Sequence, residues 1–309
     1  MLRTTRPAVE RPGPAVGSPG RHTIVTRRRD AWSRREQKRL PMELQQIGLR
    51  HPVADLVRDI QRNRTGIPRR MFVAEGLYEH NIVLAAGVRL DTFLWCPEAA
   101  YSDEATKRSA ELAERARRAY QISAKTLERL AERPSPDGLL SIAQLPDWSP
   151  ADIKLAARAL VLVADGIEIP GNLGTLIRTL DACGADCLVL TNRRTRLTHP
   201  KVLRASQGMS IRVPALDFDQ VAEAVAWLTG NGCTVYLADT DQSVSYRAAD
   251  YGGRTALVVG SERYGISPAW YEAGFGRIGI PMLGSADSLN VAISASVLLY
   301  EARARKDGW

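Results

Sequence analysis

From Ala159 to Ala164 the chain reads Ala-Leu-Val-Leu-Val-Ala, an apolar run with no polar residue to face water. A half-exposed strand alternates apolar and polar side chains. An unbroken apolar run belongs to a strand covered on both faces, as in parallel sheets flanked by helices. The segments downstream keep that rhythm. Apolar spacing predicts a helix over 173–183, a strand over 187–190, a helix through 202–206 and another over 221–228. Strands follow over 234–238, 256–259 and 278–280, and a long helix over 289–303. Such alternation implies an α/β fold built on a mostly parallel sheet.

Residues 44–145 form a smaller pattern. Leu49, Val53, Leu56, Val57 and Ile60 fall at helical spacing, and Met71-Phe72-Val73 reads as a short strand. A helix over 77–86, a strand over 90–95, a charged amphipathic helix over 103–118, a short helix over 127–132 and a strand over 139–145 complete a second α/β unit. The stretch from Pro146 to Pro150 is the linker. Ahead of both units, residues 1–41 are rich in Pro, Gly and Arg without hydrophobic periodicity. Residues 1–40 hold eleven Lys or Arg and three acids, so their net charge, +8, equals that of all 309 residues. That composition buries too little apolar surface to offset the entropy of ordering. The organisation expected is a disordered basic arm (1–41), a small α/β domain (42–145) and a larger α/β domain (146–309).

Several classes are set aside. No apolar run approaches the ~20 residues that span a bilayer, and Arg3 and Arg6 are not followed by the apolar stretch of a secretory signal. A soluble cytoplasmic protein is expected. Cys96, Cys183, Cys187 and Cys233 are too few for a disulfide scaffold. Cys183 and Cys187 lack the two further ligands of a recognisable zinc pattern, so core cysteines are expected and no metal.

Ligands of open α/β sheets bind beyond the carboxyl ends of strands, and three Gly-, Pro-, Asn- and Ser-rich loops follow strands here. The first runs Asp165-Gly-Ile-Glu-Ile-Pro-Gly-Asn-Leu-Gly174 and leads into Thr175-Leu-Ile-Arg178. Asn172 stands where a helix N-cap is preferred, Gly171 and Gly174 permit close backbone approach, and Arg178 falls at the edge of the helix's apolar stripe, towards the loop mouth. The second is Gly260-Ser-Glu-Arg-Tyr-Gly265. The third, Pro281-Met-Leu-Gly-Ser-Ala-Asp-Ser-Leu-Asn290, ends at the last helix, which Ser288 or Asn290 is placed to cap. Each loop alone is equally a plain turn or cap.

Together, and in this order, Asn172-Leu-Gly-Thr-Leu-Ile-Arg178, Gly260-Ser-Glu-Arg-Tyr-Gly-Ile-Ser267 and Ile280-Pro-Met-Leu-Gly-Ser-Ala-Asp-Ser-Leu-Asn-Val291 resemble the SPOUT superfamily of methyltransferases, in its TrmH (SpoU) branch, from Ala157 to Arg305. The resemblance implies an α/β catalytic domain with a parallel sheet and a deep trefoil knot, which sequence pattern alone never shows. It also implies S-adenosylmethionine as cofactor and a homodimer formed through the catalytic domain. Carried over, the cofactor contacts are Gly260, Ile280, Met282 and Leu289. Asn172, Arg178, Glu262, Ser288 and Asn290 are the catalytic group. Leu203-Arg-Ala-Ser-Gln-Gly208 looks like a segment that grips substrate phosphate in some ribosomal-RNA relatives, which points to Arg204. Arg263 stands where many relatives have Gly and adds a positive group for RNA. Arg62-Asn63-Arg64, Arg69-Arg70 and Phe72-Val-Ala-Glu-Gly76 resemble, less specifically, the ribosomal-protein-like substrate-binding domain often fused to this catalytic domain.

The reaction so implied is methylation of an RNA ribose 2'-hydroxyl, on 23S ribosomal RNA given the fused domain, and some such relatives confer antibiotic resistance. Arginine stays protonated in proteins, so Arg178 suits a phosphate clamp and alkoxide stabiliser better than a base, with Glu262 or water taking the proton. Transfer RNA as substrate and a non-catalytic RNA-binding protein are the alternatives. A dinucleotide oxidoreductase is disfavoured because Gly171-Asn-Leu-Gly174 lacks the GxGxxG spacing.

Overall fold

The computed structural model describes residues 44–68, 70–134, 136–241 and 243–308. The basic arm expected over 1–41, and Arg69, lie outside them. In chain order the first unit comprises α1 (Pro52–Gln61), β1 (Met71–Glu75), α2 (Gly76–Ala86), β2 (Arg89–Trp95), α3 (Asp103–Arg115), β3 (Arg118–Gln121), α4 (Ala124–Leu130) and β4 (Leu139–Gln144). Its four strands lie in the order β1-β4-β2-β3. β4 is antiparallel to β1 and β2, and β3 is parallel to β2. Phe72, Phe93, Leu139 and Leu112 are completely buried there.

One helix ends earlier than its charge pattern suggests. Ser102 starts α3 by accepting the Ala105 N–H at 3.1 Å, with Asp103 and Glu104 in the first turn, where negative charge suits the helix dipole. Helix was expected to Arg118, but Ala116 leaves helical geometry at ψ 144°. Arg117 and Arg118 instead pair with Asp91 on β2 at 3.0 and 2.7 Å, and Arg118–Gln121 becomes the edge strand β3.

The second unit contains β5 (Leu160–Asp165), α5 (Pro170–Ala182), β6 (Cys187–Thr191), α6 (Pro200–Ala205), β7 (Ala215–Asp217), α7 (Val221–Gly230), β8 (Thr234–Ala238), β9 (Val244–Ser245), β10 (Thr255–Val259), α8 (Pro268–Glu272), β11 (Gly276–Gly279) and α9 (Val291–Asp307). Its strands form a seven-stranded sheet, β7-β6-β5-β10-β8-β11-β9, parallel throughout. The apolar run of β5 is buried on both faces. Leu160, Leu162 and Ala164 pack with α5 and α9. Val161 and Val163 pack with α7 and with Trp270 of α8. The period-two alternation of a strand divides these residues between two cores.

The two units share a core. Leu203 of α6 and Ile211 are buried among Phe72, Ile82 and Phe93 of the first unit. Polar ties flank that wedge: Arg204 pairs with Glu132 at 3.1 Å, Arg70 with Asp147 at 2.7 Å, and Arg196 donates to the Asn63 carbonyl at 3.3 Å. The four cysteines are free and buried, and burial pushes the Cys233 thiol up to about 11. Among the described residues no helix is long and apolar enough to cross a membrane.

Candidate active site

The carboxyl ends of β5, β10 and β11 release the three loops singled out in the sequence, and the fold brings them to one place. Gly260 and Gly265 close the second loop into a tight turn: Ser261 N–H donates to the Gly265 carbonyl at 3.0 Å, and Gly265 N–H donates back at 2.9 Å. The turn requires glycine at 260, where a Cβ would stand 2.1 Å from the Gly265 carbonyl carbon. This rigid turn carries Glu262 at its tip.

Glu262 is where the loops meet. Its Oε1 accepts from Asn172 Nδ2 of the first loop at 2.6 Å and from Asn290 Nδ2 of the third at 2.6 Å. The two amides also touch, Asn290 Nδ2 to Asn172 Oδ1 at 3.3 Å. Asn290 Oδ1 faces the other way and accepts the Ala292 N–H at 3.0 Å. It therefore caps α9, while Ser288 does not.

Asn172 corrects an expectation. It is no N-cap, because α5 starts two residues earlier at Pro170, with Ile169 at the cap position making no side-chain bond. Proline's fixed φ suits the first helical turn and leaves the Asn172 side chain free to reach Glu262. Gly174 is where close approach is real: a Cβ there would lie 2.6 Å from that of Ala205 on α6. Gly171 faces open space.

Beside Glu262 opens a cavity of about 200 Å³. Gly260, Ile280, Met282 and Leu289, named in the sequence as cofactor contacts, line it together with Glu262 and Ser288. Sequence reasoning missed the rest of its wall: Asp239 and Thr240 after β8, Tyr271 of α8, and Val259, Ile266, Ile278, Val291 and Leu298. Asp239 and Thr240 had one signal, their place at the carboxyl end of a strand. The Tyr271 hydroxyl donates to Asp239 at 2.8 Å; burial and that bond push its pKa up to about 12. Among the described residues the lining holds two carboxylates and no Lys, Arg or His.

Arg178, Arg204 and Arg263 stand outside the cavity. Arg178 is exposed on α5, and among the described residues it makes no hydrogen bond or ion pair. Arg263 lies on the turn beside Glu262, its guanidinium 5.1 Å above the Tyr264 ring. Arg204 is held by Glu132 at the junction of the two units.

A buried carboxylate, also unread in the sequence, fixes the surroundings. Asp165 ends β5 at 2% exposure. It accepts from Thr191 Oγ1 at 2.8 Å, Asn192 Nδ2 at 2.7 Å and the Ser267 N–H at 2.7 Å. The loop after β6 and the far end of the second loop thus share one anchor.

The sequence profile of the SpoU rRNA Methylase family matches residues 159–300. The chain is 32% identical over 184 residues, 60% of its own length and 72% of the relative's, to the 23S rRNA (guanosine(2553)-2'-O)-methyltransferase RlmP of Bacillus subtilis. A TrmH family tRNA/rRNA methyltransferase of Staphylococcus saprophyticus is 36% identical over 141 residues, which span 46% of this chain and 57% of that one. The AdoMet-bound rRNA methyltransferase of Sinorhizobium meliloti superposes with a TM-score of 0.74 at 26% identity, covering 84% of this chain and 97% of that one.

Proposed function

The chain belongs to the SpoU rRNA methylase family, and from that membership we propose that it is an enzyme transferring a methyl group from S-adenosylmethionine to a ribose 2'-hydroxyl of 23S ribosomal RNA. The observation that carries the reading is the charge of the cavity. Two carboxylates, partly apolar walls and, among the described residues, no cationic side chain suit a ligand that pairs an aromatic base with positive charge, and oppose a pyrophosphate. Gly260, Ile280, Met282 and Leu289 hold the cofactor in this reading, by backbone and apolar contact.

The cofactor supplies an electrophilic methyl carbon on a cationic sulfur. When bound it would make that carbon the acceptor for the ribose oxygen, and the hydroxyl proton would need an acceptor from the chain. Glu262 takes it: its Oε1 is fixed by two amide donors, so Oε2 is the oxygen presented outward. Asn172 and Asn290 are spent on orienting that carboxylate. Arg178, permanently charged and unpaired among the described residues, clamps a substrate phosphate and stabilises negative charge on the attacking oxygen. Arg263 sits at the rim of the same approach, Ser288 orders the pocket wall, and Arg204 is freed for phosphate only by release from Glu132.

The division into an RNA-binding unit over 42–145 and a catalytic unit over 146–309 is supported by their separate sheets. The trefoil knot is supported by strand order: β8 lies between β10 and β11, and the loops after β10 and β11 wall one cavity. Homodimerisation through the catalytic unit is supported by an apolar stripe on α9, where Ile293 is 53% and Tyr300 42% exposed, one and two turns apart beside Val297. Methyl transfer to protein-free 23S ribosomal RNA, mapped by the resistance of 2'-O-methylated linkages to alkali, tests the reading. A single protected linkage that depends on the cofactor is expected; methylation on a base, or none, would refute it. Antibiotic resistance is decided by drug susceptibility of cells carrying the mapped modification.

A further inference from the structure

Between β6 and α6 the chain reads Asn192-Arg-Arg-Thr-Arg196, three arginines in four residues at the carboxyl end of the sheet. Surface arginines are usually carried on mobile loops; this loop is pinned along its length. Asn192 takes a left-handed conformation, φ 48°, which asparagine tolerates better than most residues. Its side chain donates to the buried Asp165 at 2.7 Å and to Ser267 Oγ at 3.2 Å. Arg193 is paired with Asp217 at the end of β7. Thr195 is buried and donates to the Glu168 carbonyl of the first loop at 2.7 Å. Arg196 reaches across to Asn63 in the other unit. Every residue of the loop but one is therefore committed.

The exception is Arg194. It is exposed, and among the described residues nothing bonds to it. Asp165 ties its loop to the turn that carries Glu262, and Thr195 ties it to the segment that leads to Asn172. Its backbone is thus fixed relative to both faces of the site. An unpaired guanidinium carried on a fixed backbone suits a planar, bidentate anion such as a phosphodiester, because only side-chain ordering is left to lose on binding.

We propose that the 192–196 loop is a phosphate-binding element of the RNA site. Arg194 contacts the backbone of the substrate strand, and Asp165 and Thr195 hold it in register with Glu262. The proposal rests on the RNA-methylating reading above. It assigns Arg194 to positioning rather than chemistry: phosphate contacts set register and orientation and carry no base information.

The test is titration of protein-free 23S ribosomal RNA at several salt concentrations with the wild-type protein, Arg194→Gln and Lys154→Gln. Lys154 is an exposed cation ahead of β5 and serves as the control for lost charge alone. The slope of log K against log salt should become shallower by about 0.7 to 0.9 in Arg194→Gln, the value of one phosphate contact, and stay at the wild-type value in Lys154→Gln. The KM for RNA should rise in Arg194→Gln while S-adenosylmethionine affinity, measured by calorimetry, stays at the wild-type value. A wild-type slope in Arg194→Gln, or an equal change in Lys154→Gln, overturns the assignment. Wild-type protein that binds no RNA overturns the underlying reading as well, so the two failures are told apart by the wild-type titration.

Discussion

Glu262 does two things that a single carboxylate seldom combines. It closes the network that joins three separate loops, and it lines the cavity where the proposed reaction would need a proton acceptor. Glu262→Gln keeps an oxygen for the two asparagine amides but removes the base proposed above. Turnover should fall by about two to four orders of magnitude, the usual worth of positioned general base catalysis, a larger loss than the weakening of cofactor affinity that calorimetry should show once one of the cavity's two carboxylates is neutral. Wild-type turnover in the variant would leave water as the proton acceptor. The sequence reached this residue through the family resemblance of the Gly260–Ser267 motif, since the Gly-flanked loop alone reads as a plain turn. It did not reach Asp165 or Asp239, since a lone acid after an apolar run looks the same whether it ends in water or at the hub of three loops. Asn172 shows the opposite error: its residue type suited a cap, but Pro170 had already started the helix.

Among the elements, length decided what the sequence disclosed. The apolar run of β5 and the stripes of α5 and α9 repeat often enough to declare a period. β7, β9 and α8 span three, two and five residues, too few to show one, and all three went unread. The junction of α2 and β4 hides a titration as well. His80 is completely buried, with Nδ1 2.7 Å from the Gly76 carbonyl and Nε2 2.8 Å from Ser141 Oγ, and desolvation lowers its pKa from 6.5 to about 4. Between those values the unfolded chain holds a proton that the folded chain refuses, so stability is lost as pH falls from about 6.5 to about 4. The loss amounts to about 3 kcal/mol. Burial raises Glu75 and Glu79 nearby, and raised carboxylates act in the opposite sense. The wild-type curve is therefore a net result, and His80→Gln isolates the histidine. Denaturant unfolding across that range should show a smaller loss on acidification in the variant; parallel curves would mean His80 is charged in the fold.

At the scale of the whole molecule, the stripe on α9 predicts assembly. Ile293→Glu places a charge on an exposed apolar site that a dimer would bury. Sedimentation velocity should show the wild type as a dimer and the variant shifted to monomer with its melting temperature nearly kept, whereas a monomeric wild type would remove the stripe from consideration. The wedge formed by Leu203 and Ile211 has a different reach. These side chains belong by sequence to the parallel-sheet unit, yet they complete the hydrophobic interior of the other one. A cut at the 146–150 linker would bare apolar surface on both fragments, so neither half is an exchangeable cassette. For anyone recombining parts of such chains, the practical seam lies not at the proline-bounded linker but around α6, whose inward face would have to travel with whichever first unit is transplanted.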